Sequence, residues 1–512
     1  MNWKYYQQRF ERDKSLMSED FFVLGVDMGA ATSSIAYFDV LRQGAEVLDI
    51  SGGYGKPSSP TALQYIVDTK EWIFGEYAIQ NANGTDALLR TFVEQLSPAV
   101  YLDTGAGSRP VTEIAAVYLR ELIANCKSIN PKATVAGIAA VVPDFISNEA
   151  VETLKAVYGR ARYEGLLIEL VQERKAALAY CHHKGILPEG GRLLWLDFGA
   201  RGLRGGLYEL KGGYDEIACL ASAFDETLGT AKIDNEIYSL LAGFYCQQLG
   251  LDINYLTKAQ EEELLSFVYG HKDLLFNQAA GRELRLYYNF VHPPFAKLVK
   301  PEQVVALAAP WEQGLEAFAR GLLAQEDTRD SIEIICTGGG FEMPWARKKI
   351  AAIFSKNQIH SYKNPKGVLA QGATVYAASA LSLLPAARLE ISDSHKLPWD
   401  IGINIEHEGK SRFHSLLARG SWLWQKPKPT YLIAQDDKTA IELFVRDDKG
   451  GTRPLGTAAL KGLPSRPAGT TKMSLEIEAI SANSYAVRLK DLGFGKIYPS
   501  TGFVEQFVFD IT

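Results

Sequence analysis

Two stretches decide how this chain folds: FFVLGVDMGAATSSIAYFDV, from Phe21 to Val40, and RLLWLDFGARGLRGGLYEL, from Arg192 to Leu210. Each begins with a run of apolar residues, which predicts a strand buried on both faces. Each then reads Asp, a bulky apolar residue, Gly and Ala, and returns into a second β-prone run, so each predicts a hairpin. Asp27-Met28-Gly29-Ala30 therefore matches Asp197-Phe198-Gly199-Ala200, 170 residues later. Glycine lets the backbone turn tightly and approach a ligand, and its N–H groups can donate to a phosphate. An aspartate just before such a turn can hold Mg²⁺, directly or through water. One hairpin of this kind usually does no more than reverse a strand. Two matched copies predict two similar lobes, each turning a hairpin into one cleft.

The totals set the frame around this pair. A length of 512 residues gives a prior of about three domains. A 47% hydrophobic and 22% charged composition is that of an ordinary globular chain. The net charge of −6, with no basic stretch interleaved with aromatics, argues against nucleic acid as a partner. No apolar run approaches the roughly 20 residues needed to cross a bilayer, and the polar start, MNWKYYQQRFERDKSLMSED, lacks a signal-peptide core. Cys126, Cys181, Cys219, Cys246 and Cys336 are scattered and form no CxxC, which fits a reducing compartment. The expectation is a cytoplasmic protein with no membrane partner.

In residues 1–20, an N-terminal extension, Tyr5, Tyr6 and Phe10 predict a short helix against the body, the alternative being a partly disordered segment. EVLDISGG and ALQYIVDT read as strands and TDALLRTFVEQL as a helix carrying Arg90. Between Pro110 and Ile129, Ile114, Val117, Leu119, Leu122, Ile123 and Cys126 recur at helical spacing. TLGTAKIDNEI opens a long helix with Ile237, Leu240, Leu241 and Phe244 inward and Gly250 as its C-cap. Residues 255 to 330 read as mostly helical, and SIEIICTGGGFEMP as strand, glycine turn and helix. From Leu397 the apolar period changes to two: Ile441, Leu443 and Val445; Leu475 and Ile477; Tyr485, Val487 and Leu489; Phe507, Phe509 and Ile511. That pattern predicts an antiparallel β-sandwich over residues 397–512, after a linker at 386–396.

VAGIAAVVPDF (135–145), ERKAALAY (173–180), TLGTAKIDNEI (227–237), ICTGGGFEMP (335–344) and NPKGVLAQGATVYAA (364–378) follow in order. Together with the hairpins they make the chain resemble the heat-shock protein 70 (DnaK-type) chaperones, as a divergent member. The resemblance implies an α/β, actin-like, duplicated ribonuclease-H-like nucleotide-binding domain of two lobes over residues 21–385. It implies a peptide-binding-like β-sandwich after it, without the helical lid that follows in the family. ATP or ADP with Mg²⁺ is the implied cofactor, and an extended or unfolded polypeptide, with unidentified co-chaperones, the implied partner.

Carried over position by position, the resemblance has Asp27 and Asp197 organising Mg²⁺ through its waters. The phosphates lie along Gly29, Ala30, Ala31 and Thr32, and along Gly199, Ala200, Arg201 and Gly202, with Gly229 and Thr230 close by. Lys272, Gly338, Gly339 and Glu342 stand on the adenosine side. Arg90 falls where the family has its catalytic lysine, and the glutamate near the metal waters matches either Gln172 or Glu173. The departures are several. The family's Thr-Thr-Asn is Ala30-Ala31-Thr32, and its Asp-Leu-Gly-Gly-Gly-Thr-Phe-Asp runs from Asp197 to Arg204, with Gly202 in place of threonine. A glutamate near Lys272 is Tyr269, and the adenine-stacking arginine is Glu342. Because phosphoryl transfer depends on positioning and charge, these losses imply weak nucleotide binding and slow or lost hydrolysis. In the sandwich, Phe413, Trp422 and Trp424 are the candidate peptide contacts. The alternative reading is a scaffold protein that keeps the fold without nucleotide.

Overall fold

The computed structural model describes residues 2–12, 21–51, 55–81, 87–128, 130–144, 146, 148–187, 191–210, 216–278, 283–288, 293–323, 332–354, 359–361, 364–384, 390–393, 397, 399–407, 410–421, 429–434, 439–447, 450–479 and 484–511. The chain divides into two compact units, residues 1–392 and 393–512.

The first unit is mixed α/β and contains two six-stranded sheets. One orders Leu167–Gln172, Thr134–Val142, Phe21–Met28, Thr32–Asp39 and Gly44–Val47, with Ser59–Pro60 pairing off the path. The other orders Ile359–Ser361, Ile332–Thr337, Arg192–Phe198, Leu203–Leu210, Glu216–Asp225 and Glu390–Asp393. Both place an antiparallel three-strand meander beside two parallel strands. The apolar runs at the start of each hairpin are the central strands: Val23, Leu24 and Val26, and Leu193 to Leu196, are buried.

One core cluster joins the two sheets, including Val23 and Phe38 from one and Trp195, Tyr208 and Ile335 from the other. The helix Val368–Ala380 runs through it, and its approach is close. A Cβ on Gly372 would lie 1.8 Å from the Ala176 carbonyl oxygen, and one on Gly25 2.0 Å from that of Ala370. The N-terminal helix, Trp3–Arg12, buries Tyr6 and Phe10 in this same cluster, while Tyr5 is exposed.

Two readings need correction. Residues 88–96 are not helical: Leu88–Arg90 is a strand paired with Ala62–Ile66, and Phe92–Gln95 is a single 3₁₀ turn. The strand Ala62–Ile66 pairs on both sides, with Glu71–Phe74 as its other neighbour, and that tertiary pairing overrides local helix preference. Residues 255–330 contain the helices Lys258–Gln278 and Pro301–Leu323, but also a hairpin of Leu284–Tyr288 with Phe295–Val299. The helix Thr230–Leu249 ends as its sequence predicts, on Gly250 at φ +66°.

In the second unit, one antiparallel sheet orders Lys410–Leu417, Asp400–His407, Ala440–Arg446 and Thr452–Ala459. The other orders Thr430–Ala434, Thr471–Ala479, Ser484–Gly493 and Val504–Asp510. Leu443 and Val445 of one sheet and Leu475, Ile477, Tyr485, Val487 and Leu489 of the other share one buried core. Phe507, Phe509 and Ile511 pack against it half-buried. Near the end of Ser484–Gly493, buried Asp491 holds Arg466 in a two-pronged pair, Nη1 to Oδ1 at 2.8 Å and Nη2 to Oδ2 at 2.9 Å. Its carboxylate also accepts the Gly493 N–H and both the N–H and the hydroxyl of Thr501.

Candidate functional site

The two Asp-x-Gly hairpins and the glycine turn after Ile332–Thr337 open into one cleft of about 690 Å³. In the first hairpin the turn is braced from behind. The Thr61 hydroxyl donates to the Gly29 carbonyl at 2.7 Å, the Thr61 N–H to that of Ala31 at 2.9 Å, and the Ser33 and Thr61 hydroxyls are 2.8 Å apart. In the second, the Gly199 N–H donates to the Gly202 carbonyl at 3.0 Å. The loop also rests on the start of the helix Thr230–Leu249, whose Thr230 and Ala231 N–H groups donate to the carbonyls of Gly199 and Ala200. These are two of the unpaired donors of a helix N-terminus, and here hairpin carbonyls satisfy them. The third turn depends on Gly338 at φ +87°, a conformation that suits glycine.

Asp27, Gly29, Ala30, Ala31, Thr32, Arg90 and Glu173 line the cleft from the first half of the chain. Asp197, Gly199, Ala200, Arg201, Thr230, Lys272, Gly338, Gly339 and Glu342 line it from the second. Three sequence candidates are not on its wall. Gly202 packs on Phe224 and Asp225, and Gly229 packs on the backbone of Ala200 and Arg201. The Gln172 side chain turns aside, donating to the Asp144 carbonyl at 3.4 Å and accepting from Arg174 at 3.3 Å. In the sandwich, half-buried Phe413 lies under the Arg446 guanidinium, 4.4 Å from its ring centroid. Trp422 and Trp424 lie outside the described residues.

Among the described residues, five ion pairs stand in the cleft wall: Lys56–Glu76, Arg201–Glu94, Arg204–Glu173, Lys272–Asp234 and Lys366–Glu342. Arg90 is placed differently. It sits on a strand rather than on the expected helix, with its guanidinium 3.1 Å from the centroid of Tyr269. Its buried Nη1 finds no acceptor among the described residues. Burial lowers the Arg90 pKa, against the opposing influence of Tyr269 and Asp234.

The hairpin aspartates are the reverse case. Burial, and then the charge of Asp197, push Asp27 up to about 7, with Arg204 pulling the other way. Burial pushes Asp197 up to about 6; the Thr337 hydroxyl, donating to Oδ1 at 2.7 Å, opposes it. Thr337 is itself fixed by the Trp195 indole N–H at 2.9 Å. The sequence does not single out Thr337, Arg204, Asp144 or Tyr269 as a set. Arg204 and Tyr269 stand out only as departures from the heat-shock pattern.

An unpartnered guanidinium N–H in a cleft that glycine turns also line suits a phosphate. The donors suit a divalent ion poorly. Among the described residues no three His, Cys, Asp or Glu side chains gather as a ligand set, and the Arg204 guanidinium stands with Glu173 in the same wall.

A mixed α/β unit with two six-stranded sheets and paired aspartate hairpins, and a second unit of two antiparallel sheets, define the class of protein. Comparison with known proteins agrees. The chain is 24% identical to the "Chaperone protein DnaK" of Prochlorococcus marinus (strain MIT 9515), across 93% of this chain and 77% of that protein. It is 23% identical to the "Mitochondrial-type heat shock protein 70" of Encephalitozoon hellem, across 94% of this chain and 84% of that one. Residues 396–511 also match the family model described as "Domain of unknown function (DUF8552)". The chain is a divergent relative of the heat-shock protein 70 family, a relationship that supports a chaperone-like function in general terms. No described helix is long and apolar enough to cross a membrane.

Proposed function

We propose that this protein is a chaperone-related member of that family. Its first unit, an actin-like domain of duplicated ribonuclease-H-like lobes, holds ATP or ADP with little or no hydrolysis. Its β-sandwich engages extended polypeptide by edge pairing and apolar pockets. The cytoplasm is the compartment that suits five buried free thiols. The observation that carries the nucleotide reading is the convergence of Asp27, Asp197, Gly29, Gly199 and Gly338 on one cleft with the unpartnered Arg90 Nη1.

Slow hydrolysis follows from what the other groups are doing. Arg90, where a catalytic lysine is expected, stands over the Tyr269 ring and presents a planar fork rather than a compact ammonium. Glu173, a candidate for orienting water, is bound to Arg204. Methyl groups stand at Ala30 and Ala31, and Gly202 has no hydroxyl. Each lost positioning contact of this kind costs roughly 10²–10³ in rate. Mg²⁺, if bound, would be held by Asp27 and Asp197 through its waters; the donor set does not favour it.

The test is titration calorimetry of the full chain with ATP and ADP, alongside phosphate release by wild type and Asp197→Asn. Saturable binding with equal, background release from both proteins is expected. Turnover that Asp197→Asn abolishes would overturn the loss of hydrolysis. A fluorescein-labelled extended apolar peptide tests the sandwich, with Phe413→Ala expected to weaken its binding. The scaffold reading is favoured by one observation: five internal ion pairs already neutralise most of the cleft without a ligand.

A further inference from the structure

The two hairpins differ at one position that the matched motif hides. Directly across the ladder from Asp27 is Ser34; directly across from Asp197 is Arg204. Opposed residues of an antiparallel pair share a face. Arg204 is thus set beside the second aspartate by strand register. Its side chain is only 11% exposed, lines the cleft and forms an ion pair with Glu173 from the opposite sheet's edge helix, Glu173–His183. Phe224, its neighbour on the next strand, lies with its ring centroid 5.2 Å from the guanidinium carbon and backs the cation. A buried arginine stays charged, whatever stands beside it. This wall of the cleft therefore contains a permanent cation among Asp27, Asp197 and Glu173, where a polyphosphate approaching three carboxylates needs positive charge.

We propose that Arg204 is a built-in replacement for the divalent cation, so that this cleft binds a nucleoside polyphosphate without metal. The proposal rests on the nucleotide reading above and adds its counter-ion. With Arg204 in place, Glu173 is neutralised and a hydrated Mg²⁺ would have to compete with a tethered guanidinium. The anion is met by Arg90 Nη1, without a bridging ion. Burial works against the Arg204 charge, while Asp144 and Asp27 favour it, which is the balance expected of a resident counter-ion.

The test uses the full chain and ATP as the probe, by titration calorimetry in EDTA and in excess MgCl₂. Wild type is expected to bind ATP in EDTA at least as tightly as in MgCl₂. Arg204→Asp places a carboxylate opposite Asp197, and is expected to lose at least about tenfold in EDTA and recover in MgCl₂, a loss of charge-assisted contact on the order of 1.4 kcal/mol. Arg204→Lys, which keeps a cation, is expected to bind in EDTA within about tenfold of wild type. Wild-type binding that weakens tenfold or more on removing Mg²⁺ overturns the proposal, whether or not either variant folds. An absence of wild-type ATP binding in both buffers instead overturns the nucleotide reading, and the proposal with it.

Discussion

Asp197 and Asp491 are both buried aspartates that stand beside an arginine, and they behave in opposite ways. Around Asp491 every lone pair is used: Arg466 grips both oxygens, and Thr501 and Gly493 add further donors. Burial pushes its carboxyl up, but those donors outweigh burial and hold it well below the usual carboxylate range. Asp197 receives the Thr337 hydroxyl, while Arg204 gives its hydrogen bond to Glu173. Burial wins there, and Asp27 beside it is raised further. A charge whose bonds are complete is structural, whereas charges left short of partners in a cleft mark a place for a ligand.

The largest expected effect breaks the closed site. Asp491→Ala leaves Arg466 buried without its partner and should cost about 3–5 kcal/mol, read from urea unfolding of the sandwich signal. A loss below about 1 kcal/mol would mean that the fork is not closed in solution.

Next in size is the open site. Asp27→Asn removes one of two neighbouring carboxylate charges and should raise the unfolding midpoint of the first unit at pH 8, corresponding to about 1–2 kcal/mol. A lower midpoint would place Asp27 in the Asp491 class.

The same contrast has a pH signature with opposite signs. The folded pKa of Asp27 lies above its unfolded value near 4, so the folded first unit binds more protons between about pH 4 and about 7. Its stability should fall as pH rises through that window. Asp491 is depressed, so its contribution is complete above pH 4 and is lost as pH falls below that value. Hydrogen exchange on the full chain, corrected for intrinsic rates, should show the two units changing in these directions. Parallel slopes would dissolve the comparison.

The smallest effect belongs to an arginine–aspartate pair nearer the surface. Arg446 donates to Asp400 at 3.1 Å, with the arginine side chain 35% exposed. Arg446→Ala should cost about 0.2–1 kcal/mol in the same urea experiment. A loss as large as that of Asp491→Ala would show that burial is not what separates them.

Local pattern alone determined a good deal of this protein. The two apolar runs ending in Asp-x-Gly-Ala became central strands and hairpins, Gly250 capped its helix, and the period-two apolar residues from Leu443 to Leu489 became one buried core. Periodicity and turn chemistry act between near neighbours in the chain, which is why these features are legible there. TDALLRTFVEQL was not legible, because Leu88–Arg90 took its conformation from pairing with Ala62–Ile66. The chemistry of the cleft was decided later still. Glu173 and Arg204 stand 31 residues apart, Thr337 and Asp197 140, and Arg466 and Asp491 25. Whether an aspartate is closed or left short of donors depends on which distant groups the packed sheets bring to it, and only tertiary structure sets that number.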